Sequence, residues 1–162
     1  YINDNIKVSP IVYGGGQERN MRAGTENLYG IVGFAKALEL ADATQEQDSA
    51  YIQSLKDYMI AKLQQRIPDV AFNGDYQGKS LYTVLNVSFP KTEKSEMILF
   101  SLDMQGVCAS GGSACSSGAD IGSHVIRAIN NDPNRVPVRF SFSKYNTKEE
   151  LDVVVEKLKQ LI

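Results

Sequence analysis

Apolar side chains recur every three or four residues in three long stretches of the chain, a spacing that predicts amphipathic helices. The apolar positions of the first stretch are Leu28, Ile31, Phe34, Ala35 and Leu38. Those of the second stretch are Ile52, Leu55, Met59 and Leu63. Those of the third stretch are Leu151, Val154, Val155, Leu158 and Leu161. The pattern therefore predicts three helices that each bury one face.

Capping motifs and a proline predict where these helices begin and end. Two pairs of residues have the spacing of a capping box: Thr44 with Gln47, and Thr147 with Glu150. We therefore expect a break between the first two helices near 42–44 and a helix start after Thr147. Pro68 is expected to end the second helix, because proline cannot continue the hydrogen-bond pattern of a helix.

Runs of β-branched and aromatic residues predict short strands between the helices. These stretches are 70–72, 82–89, 106–109 and 136–142, with a hairpin around an Asn-Asp-Asn turn at 1–8. Shorter helices are expected over 96–104 and after Ser123, whose hydroxyl can cap one. Strands joined partly by turns and partly by helices favour an α+β fold, with a small mixed or antiparallel sheet packed with helices.

Residues 1–44 differ in character from residues 45–162. A hairpin, a glycine-rich loop and one helix cannot enclose a core alone, so we expect 1–44 to be the remnant of a neighbouring domain. The chain begins with Tyr1 rather than methionine, and we interpret it as cut from a longer protein. Residues 45–162 are expected to form a domain with a core of its own.

The composition argues against several classes of function. The net charge of −2 gives no electrostatic footprint for nucleic acid or for an anionic membrane. No apolar run reaches the roughly 18 residues of a membrane span, and no leader segment is visible. Two cysteines and one histidine are too few for a disulfide framework or a tetrahedral metal site. We therefore expect a cytoplasmic protein with no metal, nucleic-acid or membrane partner.

One cysteine lies in a loop of small residues, Gly112-Ser113-Ala114-Cys115-Ser116-Ser117-Gly118. Free cysteines are usually buried, and this loop offers no bulky apolar side chain to bury one against. We therefore interpret Cys115 as an exposed nucleophile, whose reactive form is the thiolate. The alternative is a surface loop that happens to contain a cysteine.

Two other residues of chemically reactive type, Cys108 and His124, are weaker candidates for a catalytic role. Cys108 lies between two apolar residues on a predicted strand, and we expect it to be a buried small hydrophobe. His124 is interpreted either as a core or capping histidine or as a catalytic one.

Gly24 and Thr25 stand just before the first helix. Free N–H groups and the helix dipole favour an anion there, phosphate above all, and Arg19 and Arg22 would add positive charge. The alternative is that Thr25 merely caps the helix. The glycines at 14–16 lack the G-x-G-x-x-G spacing of a dinucleotide site.

Arg139 interrupts an otherwise apolar and hydroxyl-bearing strand. Burying an arginine is costly unless it is paired, and its planar fork suits a carboxylate held by two parallel hydrogen bonds. The residue pattern therefore indicates a small acidic ligand. An internal salt bridge, or an edge position that points into water, remains the alternative.

Three separate stretches carry a family resemblance: the glycine-rich 14–27, the cysteine loop 112–118 followed by 123–128, and Val138-Arg139-Phe140-Ser141 followed by 147–150. Leu85-Asn86-Val87-Ser88-Phe89 also fits. Together and in this order they resemble the C-terminal part of a cysteine desulfurase, a pyridoxal-phosphate enzyme of the class V aminotransferase group. The resemblance implies the small C-terminal domain of such a transferase over 45–162, and a remnant of its large cofactor-binding domain over 1–44.

The resemblance also implies roles for three residues. Cys115 would attack the sulfur of L-cysteine bound to pyridoxal 5'-phosphate and keep that sulfur as a persulfide while L-alanine leaves. Arg139 would hold the substrate's α-carboxylate, and Thr25 would reach the cofactor phosphate of the partner subunit in a homodimer. The Gly-Ser-Ala-Cys form of the loop resembles the subgroup that serves iron–sulfur cluster assembly. An iron–sulfur scaffold or another sulfur-acceptor protein is therefore the expected partner.

The chain departs from the family pattern in several places. The lysine that binds the cofactor and the histidine that stacks on its ring lie upstream of Tyr1 in the family, so we expect the isolated chain to be inactive. Asn20 stands where the family usually has glycine, Cys108 replaces an aliphatic residue, and Ser143-Lys144 replaces a Gly-Arg pair. Three alternatives stay open: a non-enzymatic module that binds a sulfur acceptor, a parent of the selenocysteine lyase type, and a stand-alone thiol enzyme such as a sulfurtransferase.

Overall fold

The computed structural model describes residues 3, 5–112, 123–130 and 132–162. The chain divides into two compact units, Tyr1–Gln45 and Glu46–Ile162. The assignment of these units to a large and a small domain stays a prediction.

The first unit buries little apolar surface. A 3₁₀ turn spans Gln17–Asn20, and helix α1 begins at Leu28. Among the apolar side chains described in this unit, only Ala23 is buried. The large apolar side chains exposed here are Ile6, Val8, Ile11, Val12, Tyr13, Leu28, Tyr29, Ile31, Val32, Phe34, Leu38 and Leu40.

The hairpin predicted at 1–8 is wrong for the part of it that the structure describes, which contains no strand. The backbone N–H of Ile6 donates to the carbonyl of Asn3 at 2.9 Å, and the N–H of Asn5 donates to Oδ1 of Asn3 at 3.0 Å. Asparagine side chains readily close such local turns, and here the turn replaces strand pairing.

Helix α1 runs without a break over Leu28–Arg66, so the boundary predicted near 42–44 is wrong. Oγ1 of Thr44 donates to the carbonyl of Leu40, one turn earlier, at 3.2 Å. The hydroxyl therefore bonds inside the helix instead of capping a new one. The helix ends two residues before Pro68, as predicted.

The second unit contains a three-stranded antiparallel sheet in the order β1-β2-β3. The strands are β1, Ala71–Phe72, β2, Val84–Pro90, and β3, Arg135–Ser141. Leu85 pairs with Phe140 and Val87 pairs with Val138. These apolar pairs lie on one face, because alternate residues of a strand point to opposite sides of the sheet.

Three further helices complete the described part of the second unit: α2, Ile98–Met104, α3, His124–Ile129, and α4, Lys148–Leu161. A 3₁₀ turn over Ser95–Met97 precedes α2. The predicted caps of α3 and α4 are confirmed: Ser123 accepts from the N–H of Ile126, and Thr147 forms the complete capping box with Glu150.

One core joins the apolar face of the sheet to α2, α4 and the second half of α1. All four apolar positions predicted for the second half of α1 are buried, and Leu151, Val155 and Leu158 of α4 are buried with them. Val154 and Leu161 are partly buried at the edge of the same core. This unit has the layered arrangement expected of an α+β fold.

The strand predicted over 106–109 is absent. This segment makes no ladder, and the sheet contact nearest to it is an isolated bridge between Ser110 and Arg139 of β3. The segment is nevertheless fixed at its start, where the N–H of Val107 donates to the carbonyl of Leu102 at 2.8 Å.

Candidate functional site

The face of the sheet opposite the core carries polar side chains. Asn86 and Ser88 of β2 share this face with Arg135 and Arg139 of β3, because they alternate with the core residues along each strand. Asn86 lies directly opposite Arg139 in the strand register. The sheet therefore has one apolar face for packing and one polar face on which a ligand can be bound.

Arg139 is half-buried on this polar face. Its Nε donates to Oγ of Ser110 at 3.0 Å. Among the side chains that the structure describes, no carboxylate pairs with Arg139, so the internal salt bridge considered from the sequence is not found there. The two terminal nitrogens of the guanidinium group are left to bind a ligand.

Arg135, on the same face near the other end of β3, is fully occupied. Its terminal nitrogens bind Oδ2 and the carbonyl of Asp69, both at 2.8 Å, and its Nε donates to Oγ of Ser88 at 3.2 Å. Arg135 thus joins the loop after α1 to the sheet, and only Arg139 of the pair is available for chemistry.

Ser110 holds the segment before the cysteine loop against β3. The backbone of Ser110 both donates to and accepts from the backbone of Arg139, at 3.1 and 2.6 Å. The next residue, Gly111, lies close to Leu99: a Cβ atom at Gly111 would be 2.6 Å from Cδ1 of Leu99. Gly112 has a φ of +71°, which favours glycine. The contact of Ser110 with Arg139 was not predictable from local sequence patterns, because the two residues are 29 positions apart.

Cys115 lies outside the described residues, which stop at Gly112 and resume at Ser123. The structure therefore leaves its interpretation as a nucleophile a prediction. His124 is exposed at the first position of α3, so it is not a core histidine, and the capping role belongs to Ser123.

Cys108 is exposed, and its expected burial is wrong. Val107 and Ala109 pack against the core, which turns the thiol outward. It borders a cavity of about 460 Å³ lined also by Phe142 and Lys157.

Thr25 is exposed, three residues before the start of α1. It does not cap the helix: Oδ1 of Asn27 accepts from the N–H of Gly30 at 3.1 Å, which is the bond of an N-cap residue. The structural alternative for Thr25 is therefore wrong, and its hydroxyl is not needed for the helix start.

Arg22 does not supply free positive charge beside Thr25. Its guanidinium group donates to the carbonyls of Gly24 and Thr25 at 2.7 and 3.1 Å. It also forms ion pairs with Glu18 and Glu26. The arginine thus fixes the path of the backbone ahead of α1, and its charge is balanced locally.

Asn20 has a φ of +66°, in the left-handed region. Glycine adopts this conformation most easily, and asparagine tolerates it better than most other residues. The departure from the family's usual glycine therefore keeps the backbone conformation of the loop.

A cluster of charges lies away from the polar face, between α1 and α4. The hydrogen bond from Lys62 lowers the pKa of the Asp152 carboxyl most, and the hydrogen bond from Tyr58 lowers it further. The bond to Asp152 in turn raises the pKa of Lys62.

Within the described ranges no group of three metal-ligating side chains occurs. No helix in that part of the chain is both long and apolar enough to cross a bilayer.

Comparison with known proteins shows the family of this chain. Residues 6–154 match the model of the aminotransferase class-V family. The chain belongs to the aminotransferase class-V family. The cysteine desulfurase IscS of Dictyoglomus turgidum is 41% identical over 169 residues, and the cysteine desulfurase of Nostoc sp. is 38% identical over 164 residues.

Solved structures of this family agree with the fold. A NifS-like protein matches 99% of this chain with a TM-score of 0.77 and 30% identity. The NifS-like protein of Rickettsia africae, with a TM-score of 0.73 and 24% identity, supports the fold alone. The α+β fold of a class V aminotransferase is therefore confirmed. The chain spans 41% of the length of the Dictyoglomus relative and 40% of the first solved structure.

Proteins of the aminotransferase class-V family use pyridoxal phosphate as their cofactor. The hydroxyl of Thr25 does not cap α1, since Asn27 does. The guanidinium group of Arg139 has no carboxylate partner among the described residues. In general a hydroxyl group can bind a phosphate, and a guanidinium group can bind a carboxylate.

Proposed function

We propose that this chain is the C-terminal part of a cysteine desulfurase, which converts L-cysteine to L-alanine and holds the released sulfur as a persulfide on Cys115. In this proposal residues 1–44 belong to the large cofactor-binding domain and 45–162 form the small domain. The observation that carries the proposal is Arg139, a half-buried arginine whose terminal nitrogens have no carboxylate partner among the described side chains.

Arg139 binds the α-carboxylate of the substrate. A guanidinium group forms two parallel, charge-assisted hydrogen bonds to a carboxylate, and these are stronger than neutral ones. Asn86, opposite Arg139 on β2, already shares its Oδ1 with Nδ2 of Asn73 at 2.8 Å. The guanidinium group of Arg139 is therefore the positively charged group that recognises the carboxylate of an amino acid on this face.

Cys115 receives the sulfur. Its thiolate attacks the substrate's sulfur, so that a sulfur–sulfur bond forms and the carbon–sulfur bond breaks. The electron pair of the broken bond stays on carbon, which gains a proton and leaves as L-alanine; the enzyme thiol becomes a persulfide. Cys115 follows Ser110 by five residues, and five residues of chain span at most about 18 Å.

Pyridoxal phosphate, when bound, supplies the electron sink for this bond cleavage. From this chain Thr25 contributes a hydroxyl to the cofactor phosphate of the partner subunit in a homodimer. The persulfide is passed to an iron–sulfur scaffold or another acceptor protein in the cytoplasm.

The test starts from the reading frame extended upstream of Tyr1, with the encoded protein purified with pyridoxal phosphate. We expect L-alanine to form from L-cysteine, and we expect Cys115→Ser to abolish both alanine formation and the persulfide, detected by mass spectrometry. The matched control is Cys108→Ser, which removes the other thiol of this chain and is expected to leave turnover unchanged. Alanine formation by Cys115→Ser at the unmodified rate would contradict the proposal.

The carboxylate site is tested in the same protein. We expect Arg139→Gln to lower kcat/KM for L-cysteine by about 10²-fold, because a charged, hydrogen-bonded partner is lost. Arg66→Gln removes the same charge from an exposed position at the end of α1 and serves as the control. Equal effects of the two substitutions would exclude Arg139 as the carboxylate ligand.

A further inference from the structure

We infer that Ser110 is a positioning residue that fixes the direction in which Arg139 presents its guanidinium group to a carboxylate. The inference rests on the proposed function, because it concerns the same carboxylate site. It adds a residue that acts on the ligand only through Arg139, and it specifies the geometry in which the ligand binds.

The hydroxyl of Ser110 makes two hydrogen bonds to Arg139. Oγ accepts from Nε of Arg139 at 3.0 Å and lies 3.5 Å from the carbonyl oxygen of Arg139, to which it donates. A serine hydroxyl has one proton to donate and lone pairs to accept with, so both contacts are satisfied together. The hydroxyl is thereby oriented with its acceptor side toward the guanidinium group.

The backbone makes this contact rigid. Two backbone hydrogen bonds join Ser110 to Arg139, and Gly111 brings the chain so close to Leu99 that a Cβ atom would lie 2.6 Å from Cδ1. The position of Oγ is therefore set by main-chain pairing rather than by a free side chain. In the described part of the chain, no other side chain bonds to this guanidinium group.

The contact selects between two ways in which arginine can bind a carboxylate. A carboxylate can approach the edge formed by Nε and one terminal nitrogen, or the end formed by the two terminal nitrogens. Because Ser110 occupies Nε, only the end-on approach is left for two parallel hydrogen bonds. Ser110 also restrains a side chain with many rotamers, so less conformational freedom is lost when the ligand binds.

The test uses this chain and L-alanine, the carboxylate-bearing product of the proposed reaction, as the probe. The Nε–H resonance of Arg139 is assigned by its disappearance in Arg139→Lys, and L-alanine is titrated while the arginine resonances are followed by NMR. We expect Ser110→Ala to weaken L-alanine binding by about fivefold, the cost of one freed side chain. We expect the Nε–H resonance to exchange faster with water in this variant.

Matched variants separate positioning from a general structural effect. Ser110→Thr keeps the hydroxyl and is expected to restore binding to within about twofold of the unmodified chain. Ser141→Ala removes an exposed hydroxyl from the same face of β3 and is expected to change nothing. L-Alaninamide lacks the carboxylate and is expected not to shift the Arg139 resonance.

The outcomes also separate this inference from the proposed function. If the unmodified chain binds L-alanine through Arg139 and Ser110→Ala binds it equally well, the positioning role is overturned while the carboxylate site stands. If the unmodified chain gives no saturable shift at Arg139, the carboxylate site itself is overturned, and the role of Ser110 with it.

Discussion

The two halves of helix α1 have similar apolar patterns and very different surroundings. Leu38 in the first half is 61% exposed, whereas Leu55 in the second half is fully buried. The same contrast holds between Ile31 and Phe34 in the first half, which are exposed, and Met59 and Leu63 in the second half, which are buried. Helical periodicity therefore indicates which face of a helix can be buried, but whether that face is covered depends on what packs against it.

The contrast has an energetic meaning. Burial of a large aliphatic side chain stabilises a fold by about 1.5–3 kcal/mol, and the second half of α1 buries five such side chains in the core: Ile52, Leu55, Met59, Ile60 and Leu63. The first half gains almost none of it within this chain. We therefore expect the stability of the chain to reside in residues 46–162.

Substitution of one leucine in each half is the strongest test of this contrast. Leu55→Ala is expected to lower the free energy of unfolding by about 2–5 kcal/mol, because it leaves a cavity in the core. Leu38→Ala is the matched control on the same helix, and its effect is expected to stay within about 0.5 kcal/mol. Urea denaturation followed by circular dichroism measures both. A loss from Leu38→Ala as large as that from Leu55→Ala would mean that the first half is covered in solution.

A smaller effect within the second unit tests the start of α4. Thr147 accepts from the N–H of Glu150, whose side chain accepts from the N–H of Thr147 in return. Thr147→Ala removes one half of this reciprocal cap and is expected to cost about 1 kcal/mol. Thr44→Ala, whose hydroxyl bonds inside α1, is the control and is expected to cost less. The reverse ranking in urea denaturation would show that Thr44 marks a helix start after all.

The smallest predicted effect is the pH dependence contributed by the exposed cluster between α1 and α4. The pKa of Asp152 is lowered in the folded chain, chiefly by its hydrogen bond from Lys62. Its contribution to stability is therefore present above the usual aspartate pKa of about 3.9 and is lost as the pH falls through the lowered value. Lys62, whose pKa is raised, contributes below about 10.4 and loses its contribution as the pH rises further.

Asp152→Asn should therefore differ from the unmodified chain at neutral pH, and the difference should shrink below about pH 3.9. Asp103→Asn makes the same change on an exposed side chain of α2 and serves as the matched control. Urea midpoints measured from pH 7 to pH 2 compare the two variants. A difference for Asp152→Asn that stays constant over this range would show that its pKa is not lowered by folding.

Much of the second unit was predictable from local patterns. The apolar positions of α1 from Ile52 onward, the cap at Ser123 and the capping box at Thr147 are all confirmed. Each of these features depends on residues within one or two helical turns. The motifs that indicated a class V aminotransferase are likewise local, and the family assignment is confirmed.

Two of the wrong predictions, at Thr44 and Cys108, share a different cause. Thr44 has the spacing of a cap, but nothing interrupts the helix around it, so its hydroxyl bonds to Leu40 instead. Cys108 lies between two apolar residues that pack against the core, while its own thiol is exposed. In both cases the outcome depends on the surrounding structure rather than on residue type.

By itself the sequence determined the helix faces, the cap at Thr147, the family and the residue types available for chemistry, because these follow from neighbours along the chain. Only the tertiary structure decided that one half of α1 is covered, that Arg135 is paired with Asp69, and that Arg139 is held by Ser110. The physical reason is that burial and pairing depend on groups brought together from distant parts of the chain. Two arginines four residues apart on one strand can therefore have different uses, which their positions in the sequence do not distinguish.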